Sequence, residues 1–437
     1  MSSVFKIYSP EDCDFYYDGE LYGHIDGNSK KAFRFEVERK GVYRLEFINS
    51  EYQTKLMMKV SIDADEEQEV ELDFSEVNEP AIREREKERI IIAIERDYES
   101  GKQLPKEIIS AISNNGIVTI PEGVRKIRNM AFIGHGDLTS ITIPDSVTEI
   151  GDYAFSGCCS LTSITIPNSV ITIGTGAFDR CCSLASVTIP DSVTKIGDRA
   201  FMGCRRLTCI TIPNSVTQIG DSTFARCSGL REFNGKFASE DGRCLIIKGV
   251  LNSFATAGLT KYDIPNSVTW IGQCAFHRCS NLTSITIPDS VTEIGDFAFS
   301  GCCGLTSISI PNSVITIRKG AFECCCSLAS VTIPNSVTWI GQCAFHRCSS
   351  LASVTIPNSI TSIGEFAFYK CSSLKSIYHQ ATTPPKLWNS IGFISSKADL
   401  KIYVPKSEGS TVLEAYKSAK SWKDYADSIE EYDFDNE

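Results

Sequence analysis

Residues 161–183 read LTSITIPNSVITIGTGAFDRCCS, and this 23-residue unit decides the fold because the chain repeats it many times. In a short strand, Ile164 and Ile166 would point to one face and Thr165 to the other. Pro167 would end the strand, since proline has no N–H to donate to a ladder. The first part of each unit is therefore predicted to be a half-buried strand.

The second part of the unit supplies further apolar anchors. Val170 and Ile173 are β-branched and suit extended backbone that points inward. Gly174 is expected to turn the chain through a corner with a positive φ angle. Ala177 and Phe178 then return to the core. In sister units an aspartate follows this glycine and is expected to cap a single helical turn; these residues are Asp152, Asp198 and Asp296.

The repeat extends over most of the chain. One unit cannot bury its apolar residues alone, whereas stacked units can, with neighbouring strands about 4.8 Å apart. Prolines mark the period at Pro121, Pro144, Pro167, Pro190, Pro213, Pro265, Pro288, Pro311, Pro334 and Pro357. We therefore predict a mostly β, leucine-rich-repeat solenoid of about ten 23-residue rungs. One phenylalanine per rung is expected in a single interior file: Phe132, Phe155, Phe178, Phe201, Phe224, Phe276, Phe299, Phe322, Phe345 and Phe368.

One rung is longer than the others. Pro213 and Pro265 lie 52 residues apart, which is six more than two periods. The expansion occupies residues 228–262, where a hairpin with its turn at Lys248-Gly249 is predicted. This hairpin is expected either to project from the solenoid or to replace the helical turn of one rung.

The flanking segments differ from the repeat. Alternating patterns, with a turn at Asp18-Gly19, predict a small antiparallel β-sandwich over residues 1–78. Residues 79–103 are rich in Glu and Arg and predict a charged helical linker. The solenoid with its N-terminal cap is assigned to residues 104–399.

The C-terminal segment, residues 400–437, is predicted to close the solenoid. A last strand would precede a capping helix over residues 411–425, with Tyr416 and Trp422 facing inward. An acidic tail from Glu430 is expected to fray.

Composition bounds the function. The 437 residues are 42% hydrophobic and 22% charged, which is typical of a folded protein. The net charge of -11 argues against nucleic acid as the partner.

No apolar run approaches the ~20 residues that a membrane helix needs, so membrane insertion is not expected. Because the N-terminal residues show no secretion signal, we expect a cytoplasmic protein; the alternative is the cell surface, or secretion by a non-standard route.

The 19 cysteines follow the repeat. A cysteine that recurs once per rung, as Cys158 and Cys181 do, is expected to be a buried packing residue. Adjacent pairs such as Cys158-Cys159 raise the alternative of a disulfide ladder. A cytosolic setting would favour free thiols.

Sequence variation concentrates at one column just before the last isoleucine of each rung. Trp270 and Trp339 occupy this column three rungs apart, so they are expected to be exposed and about 14 Å apart. Exposed tryptophans are frequent in binding hot spots. The alternative is that each ring covers a neighbouring corner.

The outward residues of the strands are mostly threonines. Thr165, Thr188, Thr286 and Thr332 would form a regular hydroxyl face able to bind protein or glycan, or to template ice-like order. The alternative is that threonine simply suits an exposed β position.

His277 and His346 lie within two copies of a C-x-x-H-x-C motif, and we include both with the tentative partner contacts. Zinc is not predicted, because the cysteines of each copy would point in opposite directions and a fourth ligand is missing. Cys343 beside His346 is the nearest approach to a nucleophile pair, but repetition of the motif explains it better. No catalytic residue, cofactor or metal ligand is assigned.

Ten rungs of the form LTSITIPNSV with G-x-x-A-F-x-x-C resemble the BspA-like leucine-rich repeat family over residues 117–425. Members of that family are often surface proteins that adhere to host or partner proteins. The N-terminal segment resembles a PEGA-type β domain through residues 17–20 and 41–45. This chain departs from the repeat pattern at Arg128 and Arg318, which occupy the glycine corner.

These patterns favour a non-enzymatic protein–protein interaction scaffold that uses the solenoid surface. The rival hypothesis is a cell-surface adhesin that binds host protein or carbohydrate. An enzyme would need a deep polar pocket that the repeat does not predict.

Overall fold

The structure is a computed structural model that describes residues 3–8, 13–17, 20–25, 33–37, 41–49, 55–62, 68–71, 75–95, 106–388 and 400–434. Two compact units divide the chain, Met1–Ala93 and Ile94–Glu437. The predicted turn at Asp18-Gly19 lies outside the described residues.

The described residues of the first unit contain seven strands and most of one helix. They are β1 (Ser3–Tyr8), β2 (Cys13–Tyr17), β3 (Glu20–Ile25), β4 (Phe33–Val37), β5 (Gly41–Asn49), β6 (Lys55–Ile62), β7 (Gln68–Glu71) and α1 (Ser75–Glu95).

These strands form two sheets, as expected for a small sandwich. One has the order β3-β2-β5-β6 and is antiparallel throughout, and the other has the order β4-β1-β7. The expectation of purely antiparallel pairing is wrong at one point, because β7 pairs with β1 in parallel. Phe15 and Phe47 stack at 5.0 Å between ring centres and are fully buried.

The second unit begins with the end of α1 and continues with short strands and turns. Its elements are α2 (Lys106–Ile112), β8 (Ser113–Asn114), β9 (Ile117–Thr119), β10 (Lys126–Ile127), β11 (Ser140–Thr142), β12 (Glu149–Ile150), β13 (Ser163–Thr165), β14 (Thr172–Ile173), β15 (Ser186–Thr188), β16 (Lys195–Ile196), β17 (Cys209–Ile212), β18 (Gln218–Ile219), β19 (Glu232–Gly235), β20 (Cys244–Ile247), β21 (Val250–Phe254), β22 (Lys261–Asp263), β23 (Trp270–Ile271), β24 (Ser284–Thr286), β25 (Glu293–Ile294), β26 (Ser307–Ser309), β27 (Thr316–Ile317), β28 (Ser330–Thr332), β29 (Trp339–Ile340), β30 (Ser353–Ile356), β31 (Ser362–Ile363), β32 (Ser376–His379), β33 (Lys386–Leu387), β34 (Lys401–Pro405), a 3-10 turn (Glu408–Ser410), α3 (Thr411–Ser418), a second 3-10 turn (Lys423–Ser428) and β35 (Ile429–Tyr432).

The rungs stack as the repeat predicts, and each contributes two strands. The second strands form a five-stranded parallel sheet, β10-β12-β14-β16-β18, and an eight-stranded sheet that runs from β20 to β33. The solenoid has about 13 turns, compared with the ten predicted. The count from sequence was low because it relied on the proline, and the rungs of β19 and β32 lack it, with Lys236 and Gln380 at that position.

The expanded rung inserts the predicted hairpin into the stack. β20 and β21 pair in antiparallel fashion, and the turn residues Lys248 and Gly249 have φ angles of 51° and 81°. The hairpin does not project, because β21 pairs in parallel with β23 and so takes the place of a second strand.

The phenylalanines form two stacks, so the expected single file is wrong. One stack runs from Phe132 to Phe224 with ring centres 5.2–5.5 Å apart. The other runs from Phe254 to Phe368. The hairpin rung separates them and packs Phe233 edge-on against Phe224.

The corners of the rungs, which run from the glycine to the cysteine (residues 174–181 in the quoted rung), differ from expectation in two ways. Gly174 is not among the glycines with a positive φ. Glycine is needed there because a Cβ atom would lie 2.6 Å from both Oδ1 of Asp152 and the carbonyl carbon of Gly151 in the neighbouring rung. Asp152 does not cap its own turn either: it accepts a 2.7 Å hydrogen bond from the Thr175 N–H. Close stacking thus replaces the local roles inferred from sequence.

The cysteine column is buried, as predicted. The Cys181 thiol donates to the Phe155 carbonyl oxygen at 3.2 Å, and seven other cysteines make the same contact across rungs. The described residues contain no disulfide bond. Burial raises the pKa of Cys227 to about 12, which keeps this thiol protonated.

The C-terminal cap contains β34 as predicted, and Tyr416 and Trp422 are buried. The α-helix is shorter than expected, ending at Ser418, after which the chain forms a 3-10 turn. Fraying from Glu430 is also contradicted, because β35 pairs in parallel with β34 and extends the sheet of first strands by one position.

Candidate binding surface

Trp270 and Trp339 lie on the same column of the eight-stranded sheet. The register runs from Trp270 to Glu293, then to Thr316, then to Trp339. Three strand steps therefore separate the two indoles along one continuous face. We call this pair the tryptophan strip.

The two tryptophans have different surroundings. Trp339 is 37% exposed, whereas Trp270 is only partly exposed, contrary to expectation. Arg318 contacts Trp270: its guanidinium carbon lies 5.5 Å from the centre of the Trp270 ring, and the same side chain pairs with Glu293. Arg318 replaces a corner glycine, and its long side chain reaches back across one rung.

A cleft of about 330 Å³ opens beside Trp270 where the hairpin enters the stack. Asp221, Asn252, Asp296 and Arg318 contribute polar groups to its walls. Burial and the nearby charge of Asp198 raise the pKa of Asp221. Sequence reasoning missed this polar rim, although the 52-residue spacing and the departure at Arg318 both signalled an irregular place in the stack.

A further exposed tryptophan extends the same sheet. Trp388, 58% exposed, follows β33, and the Lys386 ammonium lies 4.2 Å from the centre of its ring. The repeat pattern did not reveal Trp388 because it follows the last rung with the proline signature.

The threonine face is exposed at all four predicted positions. Thr165 and Thr188 are neighbours in the pairing of β13 with β15. Thr286 and Thr332 line one open groove of about 590 Å³, with Ser309 between them. The expanded rung lies between these two pairs, so the structure does not bring all four threonines onto one patch.

The corners on either side of the hairpin rung form a seam, which we define as residues 220–227 facing residues 272–279. In regular rungs three backbone N–H groups donate to the next corner, as from Tyr153 to Thr175 at 2.7 Å. Within residues 106–388 the seam lacks all three bonds, and side chains span the gap. Ser222 Oγ donates to the Gln273 carbonyl at 3.1 Å.

Residues 266–280 and 335–349 are identical 15-residue copies, and His277 and His346 occupy equivalent positions in them. Only His277 lies at the seam. His277 Nε2 is 3.2 Å from the Arg226 guanidinium, and burial followed by the charges of Arg226 and Arg278 lowers its pKa to about 4. His346 Nδ1 lies 2.9 Å from Oε1 of Glu323. The structure therefore separates two histidines that the sequence treats alike.

The geometry also bears on two other kinds of site, a metal site and a nucleophilic thiol. Among the described residues, no group of three or more His, Cys, Asp or Glu side chains is arranged to hold a metal ion. Burial raises the pKa of Cys343, which opposes formation of a nucleophilic thiolate beside His346.

Of the helices described, none combines the length and apolar character needed to cross a bilayer.

Comparison with known proteins places the repeat in a bacterial setting. Residues 104–234 and 251–375 match the family profile "BspA type Leucine rich repeat region", with six copies. A leucine-rich cell surface protein from Faecalibacterium prausnitzii is 37% identical, with a TM-score of 0.54, over 60% of this chain and 72% of that one. No curated protein matches significantly.

Two more distant structures share the fold. The pneumococcal vaccine antigen PcpA is 23% identical with a TM-score of 0.58, over 73% of this chain and 78% of that one. A leucine-rich repeat protein from Eubacterium ventriosum is 22% identical with a TM-score of 0.51, over 67% of this chain and 90% of that one.

Proposed function

This chain belongs to the BspA type leucine-rich repeat family, and we propose that it is a non-enzymatic scaffold that binds a protein partner through the tryptophan strip. The observation that carries the proposal is the placement of Trp270 and Trp339 on one column of consecutive parallel strands, from β23 to β29. Flat, rigid indoles supply large contact area at small entropic cost, which favours them as anchors of a protein interface.

The spacing of the strip suggests the kind of segment that would bind. An extended or helical segment with two apolar side chains about 14 Å apart could place one on each indole. Glu293 and Thr316 lie between the two rings and offer acceptors for polar groups of that segment. The Thr286 groove lies on the first strands of the rungs, so it offers a separate contact face.

Affinity capture from cells that make the protein tests this proposal. Wild type is compared with Trp270→Ala plus Trp339→Ala, and with Thr286→Arg plus Thr332→Arg as a variant of the other face. We expect the tryptophan variant to lose the partners that wild type enriches while still melting cooperatively as a folded protein, and the threonine variant to keep them. Equal capture by wild type and the tryptophan variant would exclude the strip.

A second candidate function is that of a cell-surface adhesin for host protein or carbohydrate. It is favoured by the 37% identical relative, which is described as a cell surface protein. This relative gives no support to the cytoplasmic location that the N-terminal residues predict. Protease treatment of intact cells separates the two: cleavage of this chain outside the cell favours the adhesin, and protection until lysis favours an internal scaffold.

A further inference from the structure

The hairpin rung opens a second cavity at the seam, on the side of the corners. This cavity has a volume of about 230 Å³, enough for several water molecules. Phe224 and Phe254 form part of its apolar wall, and the lining also includes the polar residues Ser228 and Ser280. It exists because the hairpin rung holds apart two corners that would otherwise stack directly.

The charged residues that line this cavity are all basic. They are Arg205, Arg226 and Arg278, with the imidazole of His277 beside them, and the lining contains no carboxylate. The carboxylate that acts on Arg226 is Asp179, which does not line the cavity and also interacts with Arg180 and Arg199. The cavity therefore carries an excess of positive charge.

Two of these basic groups have buried atoms with no protein partner. Arg226 Nε and His277 Nδ1 are both inaccessible to solvent and make no hydrogen bond within the described part of the chain. Buried polar atoms are nearly always paired, so the seam leaves part of the hydrogen-bonding capacity of both side chains unused. The main chain adds a third donor: the Arg226 N–H lacks the bond that Arg180 N–H makes to the Met202 carbonyl at 2.7 Å.

From the cavity and its basic lining, we propose that the seam binds a small oxyanion, of which inorganic phosphate is the simplest example. Guanidinium groups match the oxygens of phosphate through charge-assisted hydrogen bonds. Arg226 and Arg278 approach from opposite sides of the seam, so a bound oxyanion would also link the two halves of the solenoid. This site is independent of the tryptophan strip, and the failure of either proposal leaves the other standing.

The bound anion should change the state of His277. Burial and the charges of Arg226 and Arg278 lower the pKa of this imidazole to about 4. Asp179, Cys274 and Arg180 are the other charged or titratable groups that act on Arg226. An oxyanion in the cavity would offset the positive charges and raise the His277 pKa.

The identical 15-residue copies provide a matched control, because Arg278 at the seam corresponds to Arg347 in a regular rung. Isothermal titration calorimetry of the full chain with inorganic phosphate is compared for wild type, Arg278→Gln and Arg347→Gln. Both arginines are exposed, so neither change should disturb the core. We expect saturable binding by wild type and Arg347→Gln, and a loss of roughly tenfold in affinity for Arg278→Gln.

Proton NMR of the His277 ring supplies a second readout. In wild type and Arg347→Gln, phosphate should shift the His277 ring resonance and raise the pH midpoint at which this imidazole titrates. Sulfate should compete with phosphate, whereas chloride at the same ionic strength should not. Absence of saturable binding to wild type, or equal weakening by Arg278→Gln and Arg347→Gln, would overturn the proposal.

Discussion

Arg318 lies over Trp270, with the guanidinium carbon 5.5 Å from the centre of the indole ring, although two strand steps separate their rungs. Replacement of Arg318 by alanine should uncover Trp270. We expect stronger acrylamide quenching of Trp270 in a chain that carries Trp339→Phe and Trp388→Phe, since the remaining Trp422 is buried. The loss of stability should not exceed about 1 kcal/mol, the size of an exposed cation–π contact.

A neighbouring residue provides the control for this change. Lys319 places its ammonium 5.8 Å from the ring of Phe297 and makes no such contact with tryptophan. Lys319→Ala removes the same charge and should leave the quenching of Trp270 unchanged. Similar quenching in both variants would show that Arg318 does not shield the strip.

Gly174→Ala should destabilise the solenoid through a steric clash between rungs. The new Cβ would lie 2.6 Å from atoms of Gly151 and Asp152, and overpacking of this kind costs about 1–3 kcal/mol. Urea unfolding followed by circular dichroism measures the change. Gly136→Ala is the matched control, because no atom lies within 4 Å of a Cβ at that position. Equal midpoints for the two variants would refute the packing role of the corner glycine.

The same corner shows what the sequence could and could not predict. The period, strand faces, buried cysteines and hairpin turn follow from local pattern, because each depends on alternation or on the preferences of single residues. The reason for Gly174 and the bond from Thr175 to Asp152 depend on the neighbouring rung. Local rules therefore placed the residues correctly and assigned the wrong roles to two of them.

The candidate sites were harder to predict for a related reason. Identical copies carry Trp270 with His277 and Trp339 with His346, so the sequence treats the two pairs as equal. Their environments differ because the hairpin rung borders only the first copy. The donors of the seam belong to Arg226 and His277, whose side chains contact each other although the residues lie 51 positions apart. No local sequence pattern encodes that contact.

Thiol alkylation should distinguish the exposed cysteines from those of the buried cysteine column. Exposed Cys159, Cys209 and Cys303 should react with iodoacetamide in the native protein, because reagent and water can reach them. Cys204 and Cys227 should stay unmodified until the protein unfolds, since both are buried and burial raises the pKa of each thiol. Peptide mass spectrometry after a short reaction gives the answer, and rapid native labelling of Cys204 would contradict the stacked core.

The C-terminal cap should lose stability in acid through His379. Burial lowers the pKa of this imidazole from 6.5 to about 3, and Nδ1 lies 2.8 Å from the Tyr416 hydroxyl. Below pH 6.5 the unfolded chain binds a proton at His379, whereas the folded cap does not bind it until the pH approaches 3. The stability that neutral His379 contributes is therefore complete above pH 6.5 and falls as the pH drops toward 3.

The fluorescence of Trp422 reports on this cap, since its ring lies 5.6 Å from that of His379. The stability of wild type should fall by up to about 1.4 kcal/mol per pH unit from this one group. His379→Gln should be less stable near neutral pH and show a flatter acid slope. An unchanged slope in the variant would assign the acid sensitivity to other groups.

Each rung gains a hydrophobic core only by stacking on its neighbours, and every surface described depends on this stacking. Deletion of one whole rung tests it most directly. Removal of residues 301–323 deletes one period and lets Phe299 stack on Phe345, whereas removal of residues 301–311 shifts all later rungs out of register. Circular dichroism and thermal melting should show a folded, cooperatively melting protein for the first deletion and loss of the solenoid for the second. Equal folding of both deletions, or collapse of the in-register deletion, would contradict the account.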